Sequence, residues 1–219
     1  MKKSLTVGCV IMASGLSRRF GTNKLLVDFC GQPMLCRAFD ATATPGIAAR
    51  IVVTRSEEVQ ALCRAHGVPV LLHSLPGRND TVRLGLSALL EQKPELSGCM
   101  FLPGDQPLLR RETVEAMTER FCQERPYPAE WQKETEREIF RLGAVADNDP
   151  TPLVGSPVLF GSSFFSELLT LPENKGGNVL LKKYPAQVRT ICIADSAELL
   201  DADIPEVLQQ LETIARQKG

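Results

Sequence analysis

At 219 residues the chain is long enough for one sizeable core, and a single domain spanning 1–219 is the expectation. Its 25 basic and 26 acidic residues nearly cancel, leaving a net charge of −1, so no global field would recruit nucleic acid or a membrane surface. No apolar run approaches the roughly 20 residues of a membrane span, which excludes that class. Met1-Lys2-Lys3 ahead of a short apolar run invites comparison with a secretory leader. That run ends in Arg18-Arg19 rather than at a cleavage site, so no leader is expected. The seven cysteines are dispersed, without a C-x-x-C pair, and read as reduced core thiols of a cytoplasmic protein. A zinc site is not expected, since His66 and His73 are the available histidines and neither sits at ligand spacing from a cysteine.

In chain order, Leu5 to Ile11 is a buried strand, and the loop Met12 to Lys24 follows it. Gly31-Gln32-Pro33 punctuates before a helix over Met34 to Ala43 that stops at Pro45-Gly46. Ala49 to Thr54 is a strand, Glu57 to His66 a helix ended by Gly67, and Val68 to Leu72 a further strand. A helix over about Thr81 to Leu90 follows Pro76-Gly77, and Cys99 to Leu102 is a buried strand ending at Pro103-Gly104-Asp105-Gln106-Pro107. Arg111 to Cys122 is helical, and the charged stretch 123–138, with Pro126 and Pro128, reads as a surface excursion. Ile139 to Val145 and Pro157 to Phe160 are strands joined by a loop containing Pro150 and Pro152. Helices over Ser162 to Leu171 and Asn178 to Tyr184, a last strand over Val188 to Ile193 and a helix over Ile204 to Arg216 complete the chain. Strands alternating with helices predict an α/β fold: a Rossmann-like three-layer sandwich, its mostly parallel sheet covered on both faces.

The loop Met12 to Lys24 carries the strongest chemical pattern. Ala13, Ser14 and Gly15 let backbone N–H groups approach a ligand, and amides at such a turn suit phosphate oxygens. Arg19 offers a planar fork and Lys24 a point charge, while Gly21 can take the positive φ that folds both back over one ligand. The order of a Walker A loop is absent, and Gly8, Gly15 and Gly21 are not spaced as G-x-G-x-x-G. By spacing alone, such a loop is as often solvated surface as a site.

Asp105, at the end of a buried strand, could hold a hard cation beside phosphate oxygens, or simply make an Asx-type turn. Asp203, in Asp201-Ala202-Asp203-Ile204-Pro205, reads either as a helix N-cap or as a further carboxylate. The run Gly77-Arg78-Asn79-Asp80-Thr81 can offer amides and hydroxyls to a base edge, though Asp80 or Thr81 could equally cap the helix.

Taken together, Ala13-Ser14-Gly15-x-Ser17-x-Arg19-x-Gly21-x-x-Lys24 and Gly104-Asp105-x-Pro107 resemble the two signatures of the MobA-like nucleotidyltransferases, and the likeness extends over about Val7 to Leu211. It is greatest toward the molybdenum cofactor cytidylyltransferases. The resemblance implies an Mg²⁺-dependent enzyme that transfers CMP from CTP to a phosphorylated acceptor. Arg19 and Lys24 would neutralise the triphosphate, and Asp105 and Asp203 would hold the metal. Ala13, Ser14, Gly15, Ser17, Arg78, Asp80, Thr81 and Gly104 would bind the nucleotide. Arg78, Asp80 and Thr81 match the R-x-D-S run of related cytidylyltransferases, and Ser14 stands where guanylyl-transferring relatives tend to have glycine; both favour a pyrimidine. The implied acceptor is molybdopterin, met by Ser156, Gly176 and Gly177. Ser156 replaces a family His, and Asn174 and Asn178 replace an Asp and an Arg. These departures leave open a sugar- or methylerythritol-phosphate acceptor, and a non-catalytic chaperone delivering cofactor to a molybdenum hydroxylase apoenzyme.

Overall fold

The computed structural model describes residues 5–15, 20–123, 138–146 and 149–218. Ser17, Arg19 and nearly all of the 123–138 stretch therefore lie outside the described residues. A seven-stranded sheet forms the middle layer. Its strands are β1 (Val7–Ala13), β4 (Ile47–Thr54), β5 (Val70–Leu72), β6 (Gly98–Pro103), β7 (Ile139–Ala146), β8 (Asp149–Gly161) and β9 (Val188–Cys192). Across the sheet they run β5-β4-β1-β6-β8-β7-β9, with β8 antiparallel to both neighbours and every other pairing parallel. A small hairpin, β2 (Asp28–Phe29) with β3 (Gln32–Pro33), stands apart. Its two-residue turn places Cys30 at φ 52° and Gly31 at φ 89°, the two positive values that a tight twisted hairpin demands.

Seven α-helices are described: α1 (Leu35–Ala41), α2 (Glu57–Ala65), α3 (Arg78–Gln92), α4 (Arg111–Gln123), α5 (Phe165–Leu169), α6 (Asn178–Lys183) and α7 (Pro205–Lys218). They divide between the sheet faces, because alternate residues of each strand point opposite ways. From β1, Cys9 and Ile11 join a cluster with Leu35, Phe39, Val59, Val114, Met117 and Leu208, which belongs to α1, α2, α4 and α7. On the other face Val10 meets Val82, Leu86, Leu89, Leu168 and Leu180 of α3, α5 and α6. The α3 helix lies close to the strands because Gly85 has no side chain: a Cβ there would stand 2.5 Å from Val10 Cγ1.

The expected fold class is the one observed, with local corrections: α3 begins at Arg78 rather than about Thr81, and the β2–β3 hairpin is additional. The loop expected around Pro150 and Pro152 is instead the start of β8, a 13-residue strand. Between Asp149 and Gly155 that strand pairs with β7, while its pairing with β6 runs only from Val158 to Gly161. The prolines thus fall where β8 is an edge strand, and a missing N–H is tolerated there.

Candidate active site

The carboxyl ends of β1 and β6 lie side by side in parallel register, with Met12 opposite Pro103. The chain leaves β1 through Ser14-Gly15 and β6 through Gly104-Asp105. These turns meet closely, since the Gly104 N–H donates to the Met12 carbonyl at 3.0 Å. A Cβ on Gly104 would stand 2.8 Å from Leu35 Cδ1 and 3.3 Å from that same carbonyl. Gly104 is a packing glycine that lets Asp105 start at this point.

Gly21, at φ 70°, turns the chain back, and Lys24 opens a short 3-10 turn over Lys24–Leu26. The Asn23 side chain accepts from the Leu25 N–H and fixes that turn. Lys24 Nζ consequently lies 2.5 Å from Asp105 Oδ2 and 3.0 Å from Asp203 Oδ1. Burial alone would weaken its positive charge, but Asp105 and Asp203 outweigh that and hold its pKa above the ordinary lysine value.

Asp203 reaches this point through a strap tied to the Asp105 turn. A 3-10 turn, Ser196–Leu199, carries Glu198, whose carboxylate is fully buried. Arg110 grips that carboxylate with Nη2 at 2.6 Å, Nε at 2.9 Å and its backbone N–H at 3.1 Å. Gln106 Nε2 donates to the Leu199 carbonyl, and the Ala202 N–H donates to the Asp105 carbonyl at 2.9 Å. The α7 helix begins at Pro205, so Asp203 stands ahead of it with its carboxylate turned to Lys24. A third acid, Asp201, is pushed up to about 6, by desolvation first and then by Asp105 and Asp203, with Lys24 and a Gln106 hydrogen bond opposing.

The Lys24 cluster forms one wall of a cleft of about 820 Å³. Ser14, Gly15 and Arg55 line it beside Lys24, the start of α3 contributes Gly77, Arg78 and Thr81, and Ser156, Gly176, Gly177 and Asn178 close the far side. Its apolar floor includes Phe101 and Phe160, in edge-to-face contact at 5.9 Å. The Asn79 side chain accepts from the Asn174 N–H at 3.0 Å, joining the start of α3 to the 174–178 loop. The fold therefore brings Ser14, Gly15, Lys24, Arg78, Thr81, Asp105, Ser156, Gly176, Gly177 and Asp203 into one space. Ala13 instead lines an adjoining 460 Å³ hollow with Asn23 and Glu57. Asp80 is turned to the backbone: its carboxylate accepts from the Gly77 N–H at 3.0 Å and from Arg83 at 3.1 Å. Those hydrogen bonds keep its pKa below the usual carboxylate value. Of the two readings open for Asp80, the structure displays the cap.

Several contributors carry no local motif. Arg55 donates to the Ser14 carbonyl through Nε at 2.9 Å, and His73 Nε2 lies 3.0 Å from Ser14 Oγ. Both residues sit directly after strands of the sheet's parallel half, a position that marks the cleft edge in such folds and could have singled them out. Arg110 and Glu198 had no comparable signal.

A family model for the MobA-like NTP transferase domain matches residues 9–188. The 3-deoxy-manno-octulosonate cytidylyltransferase of Neisseria meningitidis serogroup C is 33% identical over 97 residues, 44% of this chain and 38% of that protein. A protein of Pyrococcus horikoshii named "Probable molybdenum cofactor guanylyltransferase" is 26% identical over 111 residues, 51% of this chain and 54% of its own. The chain thus spans between 38% and 54% of the length of these curated relatives. Among solved structures, Rv0371c of Mycobacterium tuberculosis H37Rv superposes with a TM-score of 0.77 at 22% identity, covering 95% of this chain and 98% of the other. A CMP:2-keto-3-deoxy-manno-octonic acid synthetase complexed with CTP gives a TM-score of 0.72 at 17% identity, covering 98% and 100%. These structures share the fold. With the family model covering the sheet from β1 to the start of β9, the chain belongs to the MobA-like NTP transferase domain family.

Proposed function

We propose that this chain is a metal-dependent nucleotidyltransferase that moves CMP from CTP onto a phosphorylated acceptor, molybdopterin, in the cytoplasm. The observation that carries the reading is the placement of Lys24 between Asp105 and Asp203 at the mouth of the β1–β6 cleft. A triphosphate laid along the Ser14-Gly15 turn would have Lys24, and by family resemblance Arg19, as counter-charges. The α3 terminus, through Arg78 and Thr81, would face its base, and Ser156, Gly176 and Gly177 would face the acceptor.

The donor set suits a divalent cation. Asp105 and Asp203 present hard oxygens, and Asp203 is 59% exposed, within reach of an incoming ligand. Asp201, lifted by desolvation first and then by Asp105 and Asp203, would have the second of these causes relieved by a cation. A metal there would be held by one or both of the Asp105 and Asp203 carboxylates plus phosphate oxygens. Mg²⁺ is the ion we propose; a structurally similar protein, Rv0371c at a TM-score of 0.70, is described in complex with manganese. When bound, the ion would neutralise charge gathering on the phosphate oxygens.

In the reaction, an oxygen of the acceptor phosphate forms a bond to the α-phosphorus as the bond to the bridging oxygen breaks and pyrophosphate leaves. No protein nucleophile is needed; this chain's residues hold the two phosphates in line and balance their charge. A sugar-acid or sugar-phosphate acceptor is the second reading, favoured by Ser156 and Asn178 at positions where the molybdopterin enzymes carry other residues. Incubating the protein with CTP, GTP, ATP or UTP, Mg²⁺ or Mn²⁺, and each acceptor in turn separates them by pyrophosphate release. Release with CTP and molybdopterin supports the first reading. Release only with a sugar acceptor moves the second forward, and none with any pair would leave nucleotide or cofactor carriage without catalysis.

A further inference from the structure

Ser14 lines the cleft beside Lys24, and its hydroxyl has two neighbours: the Val53 carbonyl at 3.1 Å and His73 Nε2 at 3.0 Å. One hydroxyl proton cannot serve both. If it went to His73, the ring would carry its own proton on Nδ1, a buried atom with no hydrogen-bond partner among the described residues. A buried orphan donor is rarer and costlier than an orphan acceptor. The alternative satisfies more groups: the Ser14 O–H donates to Val53, and Oγ accepts from His73 Nε2–H. Arg55 presses the same way. Burial first, and then Arg55, which bonds the Ser14 carbonyl, hold His73 in its neutral form, so the ring has a single proton to place and, with that proton on Nε2, Nδ1 keeps a bare lone pair. Ser14 is thereby left with acceptor capacity alone toward the cleft.

We infer that His73 is a positioning residue that fixes the polarity of the Ser14 hydroxyl, so that Ser14 selects a base presenting an amino group and rejects one presenting a carbonyl at the same edge. This rests on the nucleotidyltransferase reading and deepens it. Cytosine and uracil differ at that edge, the first carrying an N–H donor and the second a carbonyl acceptor. Facing uracil, Ser14 Oγ would set two acceptors against each other, and a site whose buried polar group is left unpaired rejects such an analogue strongly. His73 touches neither base nor phosphate in this account; it acts through Ser14.

The test is the ratio of CTP to UTP dissociation constants, measured by calorimetry on the full chain with Mg²⁺. In the unaltered protein CTP is favoured. His73→Leu removes the N–H, frees the hydroxyl to rotate and lowers the ratio by about tenfold, the equivalent of one hydrogen bond. His73→Gln, whose amide can still donate, keeps most of the ratio. Ser14→Ala lowers it as His73→Leu does, and the double variant adds nothing further, because both changes remove one device. A packing role for His73 would weaken both nucleotides together and leave the ratio alone. If the unaltered protein prefers CTP and His73→Leu preserves that preference, the inference fails while the nucleotidyltransferase reading stands. If it binds CTP and UTP equally, the acceptor-only state of Ser14 is refuted. If it binds neither, the nucleotide reading falls and the inference with it.

Discussion

Replacing Arg110 with alanine tests how the site is held together. Glu198 is a fully buried carboxylate, and Arg110 supplies both of its side-chain donors, at 2.6 and 2.9 Å, plus a backbone N–H at 3.1 Å. Among the described residues, Arg110→Ala leaves that carboxylate with the backbone donor alone. Breaking a buried pair from one side costs about 3–5 kcal/mol, and a hydrogen bond to a charged group about 1.5–3 kcal/mol. The Arg110 side chain is 55% exposed, so water can follow it out and the loss belongs toward the lower range, about 2–3 kcal/mol. For a chain of this size that is a fall of roughly 4–12 °C in Tm. Urea unfolding at neutral pH measures it. Adding Glu198→Leu to Arg110→Ala should then recover a large part of the loss, since a buried charge without a partner is worse than none. A cost below about 0.5 kcal/mol, the range of an ordinary surface change, or no recovery in the double variant, would refute the clamp.

Lys24→Ala should weaken CTP binding by about ten- to a hundredfold, the worth of one charge-assisted contact, with an unchanged constant removing Lys24 from the phosphate site. His73, held below its ordinary 6.5 by burial first and Arg55 second, stays neutral when folded while the unfolded chain takes up a proton. Its contribution to stability is therefore whole above pH 6.5 and is lost as pH falls below that toward the lowered native value. His73→Gln should flatten the fall in Tm between neutral and mildly acidic pH, and an identical slope would refute the assignment. Gly85→Ala should destabilise by about 1–3 kcal/mol by overpacking, because its Cβ would stand 2.5 and 2.8 Å from the Val10 methyls and 3.0 Å from Val53 Cγ2; a stabilised protein, read by urea unfolding, would show that α3 can back away.

The parallel sheet was legible because buried strands such as Val7–Ala13 and Gly98–Pro103 read as unbroken apolar runs with helical spacing between them. Asp105 and Gly21 were legible because turn chemistry is local. The partnerships were not. Lys24 lies 179 positions from Asp203, Ser14 59 from His73 and Arg110 88 from Glu198, and no spacing rule reaches so far. Lys24 illustrates the gap well: its loop suggests a phosphate contact, while the fold pairs it with two acids. Asp80 and Gly104 each stand inside a motif that resembles a binding site, and the fold gives each a structural task as well: the first caps α3 and the second packs against Leu35.

The strap that carries Asp203 also gives the site a schedule. Synthesis runs from the amino terminus, and domains begin to organise as they emerge. The parallel strands β1, β4, β5 and β6, Lys24, the start of α3 and the Asp105 turn all precede residue 110, whereas Glu198 and Asp203 are synthesised after β9. A nascent chain can thus assemble most of the cleft while Lys24 faces a single acid. Only arrival of residues 198–203 supplies the second acid and the buried anchor for Arg110. Truncations made just before residue 198 should therefore retain the central sheet while lacking the completed charge cluster, so that formation of the sheet and completion of the cluster are separate events in the order of synthesis.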